Sequence, residues 1–386
     1  MIVLLIAAAL TACAGPMERS SIRSSQPESS APSATEVSTE SATWEFVDDP
    51  SLSPGSIQAM ATSGSALVAG GIGCAPATGE CTGAVWTSND GQRWTRVVDF
   101  PYGRAVNGIS AVGFGPSGWV AFADGGVAWL STNGQRWTLS PSSFEPLADG
   151  GPTYTADEDV CCHASVRGVA EVAGTYVAVG AVTCNNCLGR AAIWHSEDGD
   201  AWTRVPYLSI FEGAPLLAVV ALPSGRLVAV GGGSALVSDD QGVSWRASPA
   251  FGAGSVTELA LVGDDLLAAG FPGDAYEGAY WRSSDGVTWE PLVVDLPFPE
   301  AIPIAIGSMG GVVIVSGKAR EPEESSDWGF TAISADLATW RPVATDDGRP
   351  FLIWSFAEVD GLMVAAGNFA GETEQLPAGV WILRPS

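Results

Sequence analysis

The chain has 386 residues, of which 46% are apolar and 16% charged, so it carries enough apolar side chains for a large buried core. Its 43 acidic residues against 17 basic ones give a formal net charge of −26, and such a surface repels the phosphates of nucleic acids and of anionic lipids. The 47 glycines and 15 tryptophans indicate many short strands joined by tight turns and count against a helical protein.

The chain begins with an apolar stretch, residues 2–10, followed directly by Leu10-Thr11-Ala12-Cys13. This segment resembles the lipobox of bacterial lipoproteins, although no Lys or Arg precedes the apolar run as it does in that family. The stretch is too short to span a bilayer, which favours a cleaved signal. The resemblance implies a signal peptide over residues 1–12, a lipid on Cys13, and a protein anchored at the extracytoplasmic face of the cell membrane.

The next segment, residues 13–41, consists mainly of Ser, Thr, Pro, Glu and Ala. Side chains of these types cannot bury enough apolar surface to offset the entropy of ordering the chain. We therefore expect a disordered tether between the lipidated cysteine and the folded body.

From residue 42 onward one unit recurs: an apolar strand, a Ser-Asp-Gly type turn, and a Trp that opens another strand. Its copies begin at Ala84, Ala128, Ala192, Ala235, Ala279 and Ala332. Ser, Asp and Asn side chains bond to the backbone in tight turns, Gly accepts a positive φ, and Trp packs over the turn. Two further strand-like runs precede each copy, giving four strands per unit and a period near forty-five residues, which is typical of propeller blades.

The number of blades follows from two series of aromatic positions. Seven tryptophans mark the fourth strands: Trp44, Trp94, Trp137, Trp202, Trp245, Trp289 and Trp340. Seven positions mark the third strands: Trp86, Trp129, Trp194, Trp281 and Trp381, with Leu236 and Ile333 in the equivalent places. Trp44 lacks three strands before it and Trp381 lacks a fourth after it. We therefore predict an all-β, seven-bladed β-propeller of four-stranded antiparallel blades over residues 42–386, its last blade closed by the N-terminal strand.

The turns resemble the Asp-boxes (BNR repeats) of sialidase-like propellers. Residues 238–245, Ser-Asp-Asp-Gln-Gly-Val-Ser-Trp, fit the family's Ser-x-Asp-x-Gly-x-Thr-Trp pattern well, whereas Asn133 loses the acid and Leu337 replaces the glycine. The resemblance covers residues 42–386 and implies the fold. It does not imply an activity, because Asp-boxes shape turns and are not themselves catalytic.

Strand alternation sorts the loops between two faces. The Asp-box turns share one face, and the long insertions, including 70–84, 141–165, 270–278, 291–301 and 317–329, share the other. We expect a binding surface on this long-loop face, with these candidate residues: Tyr102, Arg104, Tyr207, Glu212, Tyr276 and Trp328. The alternative is that the aromatic side chains brace the loops against the rim.

Six cysteines remain besides Cys13, an even number in an exported chain, so we expect disulfides. Cys74 and Cys81 lie in one loop and are predicted to pair with each other. The other four are Cys161, Cys162, Cys184 and Cys187, and two bridges among them leave the connectivity open. These four thiols with His163 are also a possible zinc or copper ligand set, which an oxidising compartment disfavours.

For function we expect a non-catalytic module that binds a protein or a glycan, acts as a monomer and needs no cofactor. One alternative is an assembly factor for a membrane complex, as some exported Asp-box propellers are. Another is a divergent sialidase-like hydrolase: the chain has no Arg-Ile-Pro motif, but arginines of the long-loop face remain as candidates for binding a carboxylate, namely Arg104, Arg190, Arg320 and Arg349.

Overall fold

The computed structural model describes residues 42–99, 108–123, 126–140, 162–184, 189–206, 214–248, 251, 255–272, 277–321, 328–349, 351–369 and 378–384. The predicted signal peptide (1–12), Cys13 and the predicted tether (13–41) lie outside these ranges. Within the described residues, no helix has the length and apolar character needed to cross a membrane.

The described residues form 28 strands and one short 3-10 helix, Pro50–Leu52. The first fourteen strands are β1 (Thr43–Phe46), β2 (Gly55–Thr62), β3 (Leu67–Cys74), β4 (Cys81–Ser88), β5 (Thr95–Asp99), β6 (Ile109–Gly115), β7 (Gly118–Ala123), β8 (Val127–Ser131), β9 (Thr138–Leu139), β10 (Cys162–Val172), β11 (Thr175–Cys184), β12 (Arg190–Ser196), β13 (Thr203–Arg204) and β14 (Ala218–Ala221). The remaining strands are β15 (Leu227–Gly231), β16 (Ser234–Ser238), β17 (Arg246–Ser248), β18 (Ser255–Val262), β19 (Asp265–Phe271), β20 (Ala279–Ser283), β21 (Glu290–Leu292), β22 (Ile302–Met309), β23 (Val312–Ala319), β24 (Trp328–Ser334), β25 (Arg341–Pro342), β26 (Phe351–Val359), β27 (Leu362–Phe369) and β28 (Ala378–Arg384).

These strands pair into seven four-stranded antiparallel sheets. Six sheets use consecutive strands, β2–β5 through β22–β25, and we number them blades one to six. The seventh has the order β1-β28-β27-β26, so the first strand of the chain completes the last blade. The predicted seven-bladed propeller and its closure by the N-terminal strand are confirmed.

Trp44 and Trp381 lie on adjacent strands of blade seven, where Trp44 faces Leu383 and Phe46 faces Trp381. The Trp44 side chain is fully buried, and its Nε1 donates a 3.0 Å hydrogen bond to Oγ1 of Thr331 in blade six. The strand that closes the ring therefore also ties blade seven to its neighbour.

Apolar side chains fill the spaces between blades. The buried residues form seven clusters, each joining two neighbouring blades around the ring. The second strands lie in the middle of these clusters: β7 and β15 are buried along their whole length. This explains their nearly continuous apolar sequence, since both faces of the strand are covered.

Five of the six turns that resemble Asp-boxes share one hydrogen-bonding pattern, whereas in the longer turn of blade four Oδ1 of Asp240 accepts from the backbone N–H of Ser244. In blade five, Oδ1 of Asp285 accepts from the backbone N–H groups of Val287 and Thr288 at 2.8 Å, and the Trp289 indole donates to the Gly286 carbonyl at 3.2 Å. The hydrogen bond from Thr288, partly opposed by desolvation, lowers the pKa of Asp285 below its ordinary value. In blade two Asn133 accepts the equivalent bonds, at 2.9 and 3.0 Å, so an amide replaces the carboxylate without loss of the turn.

Two details differ from the sequence-based expectation. The residue of blade six that is equivalent to Trp281 is Ala332, not Ile333, because Ala332 faces Pro342 as Trp281 faces Pro291. The insertion at 70–84 is largely strand: β3 continues to Cys74 and β4 starts at Cys81, which leaves only 75–80 as a loop. The strand ends on both sides of that loop are rich in glycine (Gly70, Gly71, Gly73 and Gly83), and because glycine is depleted in strands the composition there did not predict them.

One position on the innermost strand is structurally equivalent in all seven blades, because it pairs with the same position of the second strand in each. Their register identifies its occupants as Ala59, Ala111, Gly168, Ala218, Glu258, Ala305 and Ser355. Six are small, and Glu258 is the exception. Its carboxyl is partly buried and forms no hydrogen bond or ion pair with another described residue, and desolvation raises its pKa to about 8.

Candidate functional site

The long-loop face carries a cleft of about 770 Å³ between blades five and six. Three segments line it: residues 277–280 at the start of β20, the link 293–301 between the two blades, and Arg320 directly after β23. The side chains that give the cleft its chemistry are Glu277, Tyr280, Asp295, Phe298, Glu300 and Arg320. Its size is in the range of sites that hold small ligands or a few residues of a peptide.

Tyr280 is the most unusual of these side chains. It is 4% exposed, and its hydroxyl has no hydrogen-bond partner among the described residues. Burial raises the pKa of this phenol, so it stays a neutral O–H donor. A buried hydroxyl without a partner costs about 1–3 kcal/mol, which favours its completion by a group other than the described residues.

Thr331 in blade six provides a contrast. It stands at the position of its blade that is equivalent to Tyr280, and it is also buried. Its hydroxyl accepts from Trp44 Nε1 at 3.0 Å and donates to the Val343 carbonyl at 2.8 Å. Neighbouring residues thus satisfy the hydroxyl of Thr331, whereas no described residue satisfies that of its counterpart Tyr280 at the cleft.

Glu300 and Arg320 form an ion pair across the cleft, with 2.6 Å between Arg320 Nε and Glu300 Oε2. Two prolines, Pro297 and Pro299, restrict the backbone that leads to Glu300. Glu300 itself has φ 37°, in the left-handed region that side chains other than glycine rarely adopt. Strain of this kind persists only where the surrounding structure enforces it, and it often accompanies functional sites.

The cleft has a net negative lining. Glu277, Asp295 and Glu300 carry three carboxylates, whereas Arg320 supplies one guanidinium, and that is already paired with Glu300. The side chains of Glu277 and Asp295 are exposed to solvent. The arrangement therefore favours a positively charged group over a carboxylate or phosphate.

Trp328 is the one predicted binding residue that lies within the described part of the chain. Its ring packs edge-on against Phe298 at a centroid distance of 5.5 Å, and Phe298 contacts Phe330 at 4.7 Å. Trp328 thus braces the wall of the cleft, and whether it also contacts a ligand stays a prediction. The other predicted binding residues, Tyr102, Arg104, Tyr207, Glu212 and Tyr276, lie outside the described residues.

Two of the arginines considered for carboxylate binding are engaged within the fold. Arg320 pairs with Glu300 as described. Arg349 pairs with Asp347 at 2.5 Å, and its guanidinium lies over the rings of Phe46 and Phe369 at 4.4 and 4.1 Å. Contacts of this kind hold each guanidinium in place on the protein.

The predicted disulfide between Cys74 and Cys81 is present, joining the facing ends of β3 and β4. The backbones of Cys162 and Cys184 also face each other, on β10 and β11. Cys161 and Cys187 lie outside the described residues, so the bridges in this group stay a prediction. Within the described residues no group of three metal-ligating side chains occurs.

Sequence reasoning missed Tyr280, Asp295, Phe298 and Glu258. The repeat itself contained a signal for two of them. The positions equivalent to Tyr280 in the other blades hold Val85, Ala128, Ile193, Ala235, Thr331 and Val380. Aligning the copies column by column would have identified Tyr280 and Glu258 as polar exceptions in columns of small or apolar residues.

Solved structures with the same fold share little sequence with this chain. YCF48 from Cyanidioschyzon merolae is 13% identical, with a TM-score of 0.55 over 88% of this chain and 98% of that one. YCF48 bound to a D1 peptide is 15% identical, with a TM-score of 0.58 over 92% and 99%. A catalytically inactive virginiamycin B lyase from Staphylococcus aureus, with quinupristin, is 10% identical, with a TM-score of 0.57 over 89% and 99%.

At these identities the likeness establishes the fold alone. No family model matches the chain, and no curated protein sequence does. The relation of the turns to the Asp-box family and the identification of a lipobox at Cys13 therefore stay predictions from the sequence.

Proposed function

We propose that this chain is an exported, lipid-anchored propeller that binds a partner protein in the cleft between blades five and six and performs no chemistry of its own. The observation that carries the proposal is the Tyr280 hydroxyl, buried at the cleft without a hydrogen-bond partner among the described residues. A partner that supplies an acceptor there removes a penalty present in the free protein.

Two observations favour a protein over a glycan. Sugars stack on open aromatic faces, but at this cleft Phe298 is packed against Trp328 and Phe330. One solved structure with this fold holds a peptide, the D1 peptide on YCF48. A glycan remains the alternative ligand, and binding of neutral oligosaccharides in place of peptides would support it.

The lipobox-like segment at Cys13 supports anchoring at the extracytoplasmic membrane surface, with residues 14–41 as the tether. A propeller held there meets partners that are themselves exposed at the membrane. Assembly of a membrane complex is therefore the second candidate function, and it uses the same cleft. For a sialidase-like hydrolase the cleft offers less, because its arginine already neutralises a carboxylate.

Photo-cross-linking tests the proposal at two matched exposed valines. Val293 lies on the link beside the cleft and is 89% exposed, whereas Val243 lies in the Asp-box turn of blade four and is 55% exposed. A photoreactive phenylalanine at each position, irradiated in the producing cells, is expected to give a discrete protein adduct from position 293 only. Equal adducts from both positions, or none from position 293, would contradict binding at this face.

A further inference from the structure

We infer that the cleft between blades five and six recognises an extended peptide segment containing a lysine or arginine, whose cation meets Asp295 and Glu277 and whose backbone carbonyl accepts a hydrogen bond from Tyr280. This inference rests on the proposed function and specifies the chemistry of its ligand. It uses only side chains within the described part of the cleft.

The charge of the ligand follows from the pairing inside the cleft. Arg320 and Glu300 neutralise each other at 2.6 Å. Glu277 and Asp295 have no ion pair with a described residue, so two negative charges remain at the opening. The net charge of −26 on the whole chain also raises the local concentration of cations near this surface.

The hydrogen bond follows from the character of the Tyr280 hydroxyl. Burial keeps the phenol protonated, so it has a proton to donate. A peptide carbonyl is an acceptor that every extended segment carries, whatever its side chains. Tyr280 therefore fixes the backbone of the ligand, and the carboxylates select the side chain next to it.

The walls of the cleft suit the stem of a long basic side chain. Val294, Leu296 and Phe298 line the cleft, and each is partly buried. Lysine and arginine place their methylene groups on such apolar surface while the charged end reaches a carboxylate. A short cation such as a metal ion would leave these apolar contacts unused.

A displayed peptide library tests the ligand class. The full-length chain is immobilised and a random 12-residue phage library is selected on it, with sequencing of the enriched clones. We expect lysine and arginine together to be at least 3-fold over-represented. Enriched peptides without this bias would overturn the inference but leave the proposed function standing, whereas no enrichment above the empty support would contradict both.

Two variants then test the assigned contacts with one enriched peptide, labelled with fluorescein and titrated by fluorescence polarisation. Tyr280→Phe keeps the ring and removes only the hydroxyl. We expect its dissociation constant to rise about 3- to 10-fold, the range of one hydrogen bond, while its thermal unfolding midpoint stays equal or rises. The opposite pairing, lower stability with unchanged affinity, would show a purely structural role and overturn the assignment.

The second variant, Asp295→Asn with Glu277→Gln, removes both charges without changing side-chain size. Its dissociation constant is expected to rise at least 10-fold at low ionic strength. Glu358→Gln is the matched control, because this exposed carboxylate lies at the end of β26 that leads into the turn to β27, on the Asp-box face. Equal losses in the double variant and the control would show a nonspecific effect of net charge and overturn the inference.

Discussion

The glycine found in five of the six Asp-box turns serves two purposes, of which the sequence shows only one. Its positive φ, 71° at Gly286, is the conformation predicted from the Ser-Asp-Gly pattern. The structure adds a packing reason: a β-carbon at Gly286 would lie 2.3 Å from Cγ2 of Val228 in the preceding blade. At the equivalent glycines of blades one and four, Gly91 and Gly242, a β-carbon would likewise lie 2.7 Å from a valine of the preceding blade, Val364 and Val177 respectively. The turn glycine is therefore part of the contact between blades.

Gly286→Ala is expected to lower the free energy of unfolding by about 2–4 kcal/mol, because left-handed strain and a steric overlap add together. Gly310→Ala is the control: its φ is 58°, but a β-carbon there meets no atom within 4 Å. We expect it to lose only about 1 kcal/mol. Urea unfolding measures both variants, and equal losses would mean that the contact with Val228 contributes nothing.

Residues with unusual chemistry were harder to predict than residues that form turns. An Asp-box can be recognised from the spacing of its residues, because its Ser, Asp, Gly and Trp form hydrogen bonds within the turn. Tyr280 and Glu258 acquire their properties from neighbours distant in sequence, among which no described residue bonds to the Tyr280 hydroxyl and which desolvate the Glu258 carboxyl. Only the fold reveals those surroundings.

Among the secondary-structure elements, β1 is short but forms contacts beyond its own sheet. It comprises only Thr43–Phe46, but it pairs with β28 through four residues. Beyond the sheet, the Trp44 backbone N–H donates to the Ala344 carbonyl, and its carbonyl accepts from Asp346 N–H, both at 2.9 Å. The sequence predicted the pairing with β28, because the chain ends were complementary. It did not predict the contacts with blade six, which carry no repeat signal.

Trp44→Ala is expected to lower the free energy of unfolding by about 3–5 kcal/mol, the range for removing a buried Trp. Trp354→Ala is the control, since this tryptophan on the innermost strand of blade seven is 38% exposed and is expected to lose less than about 2 kcal/mol. Urea unfolding followed by circular dichroism compares the two. A loss for Trp44→Ala no greater than for the control would contradict the role of β1 in closing the ring.

For the whole molecule, the free energy of unfolding depends on pH through carboxyl groups whose pKa values are shifted in opposite directions. Asp-box carboxylates such as Asp285 and Asp198 have pKa values below the ordinary one, chiefly through backbone hydrogen bonds. Their contribution is present above the unfolded pKa near 4 and is lost as the pH falls through the folded pKa. Glu258 acts in the reverse sense, because its folded pKa of about 8 exceeds the ordinary 4.5. Its proton favours the folded state below pH 4.5, and that advantage disappears as the pH rises to 8.

Glu258→Gln is therefore expected to be more stable than the wild type at pH 8, by up to about 4 kcal/mol, and nearly equal to it at pH 4.5. The physical reason is that a neutral amide incurs no desolvation of a charge. Unfolding in urea at pH 4.5, 6 and 8 measures the difference, and exposed Glu290→Gln serves as the control that keeps the wild-type pH dependence. A stability difference for Glu258→Gln that does not change with pH would contradict the raised pKa.

The proposed function requires that a partner binds the long-loop face at blades five and six. Hydrogen–deuterium exchange, with and without a saturating peptide selected on the full-length chain, tests it most directly. We predict slower exchange of the bound protein at residues 277–282 and 293–301, and no change in the Asp-box turns at 88–94 and 238–245. Slower exchange confined to those turns, or to blades remote from the cleft, would contradict the claim.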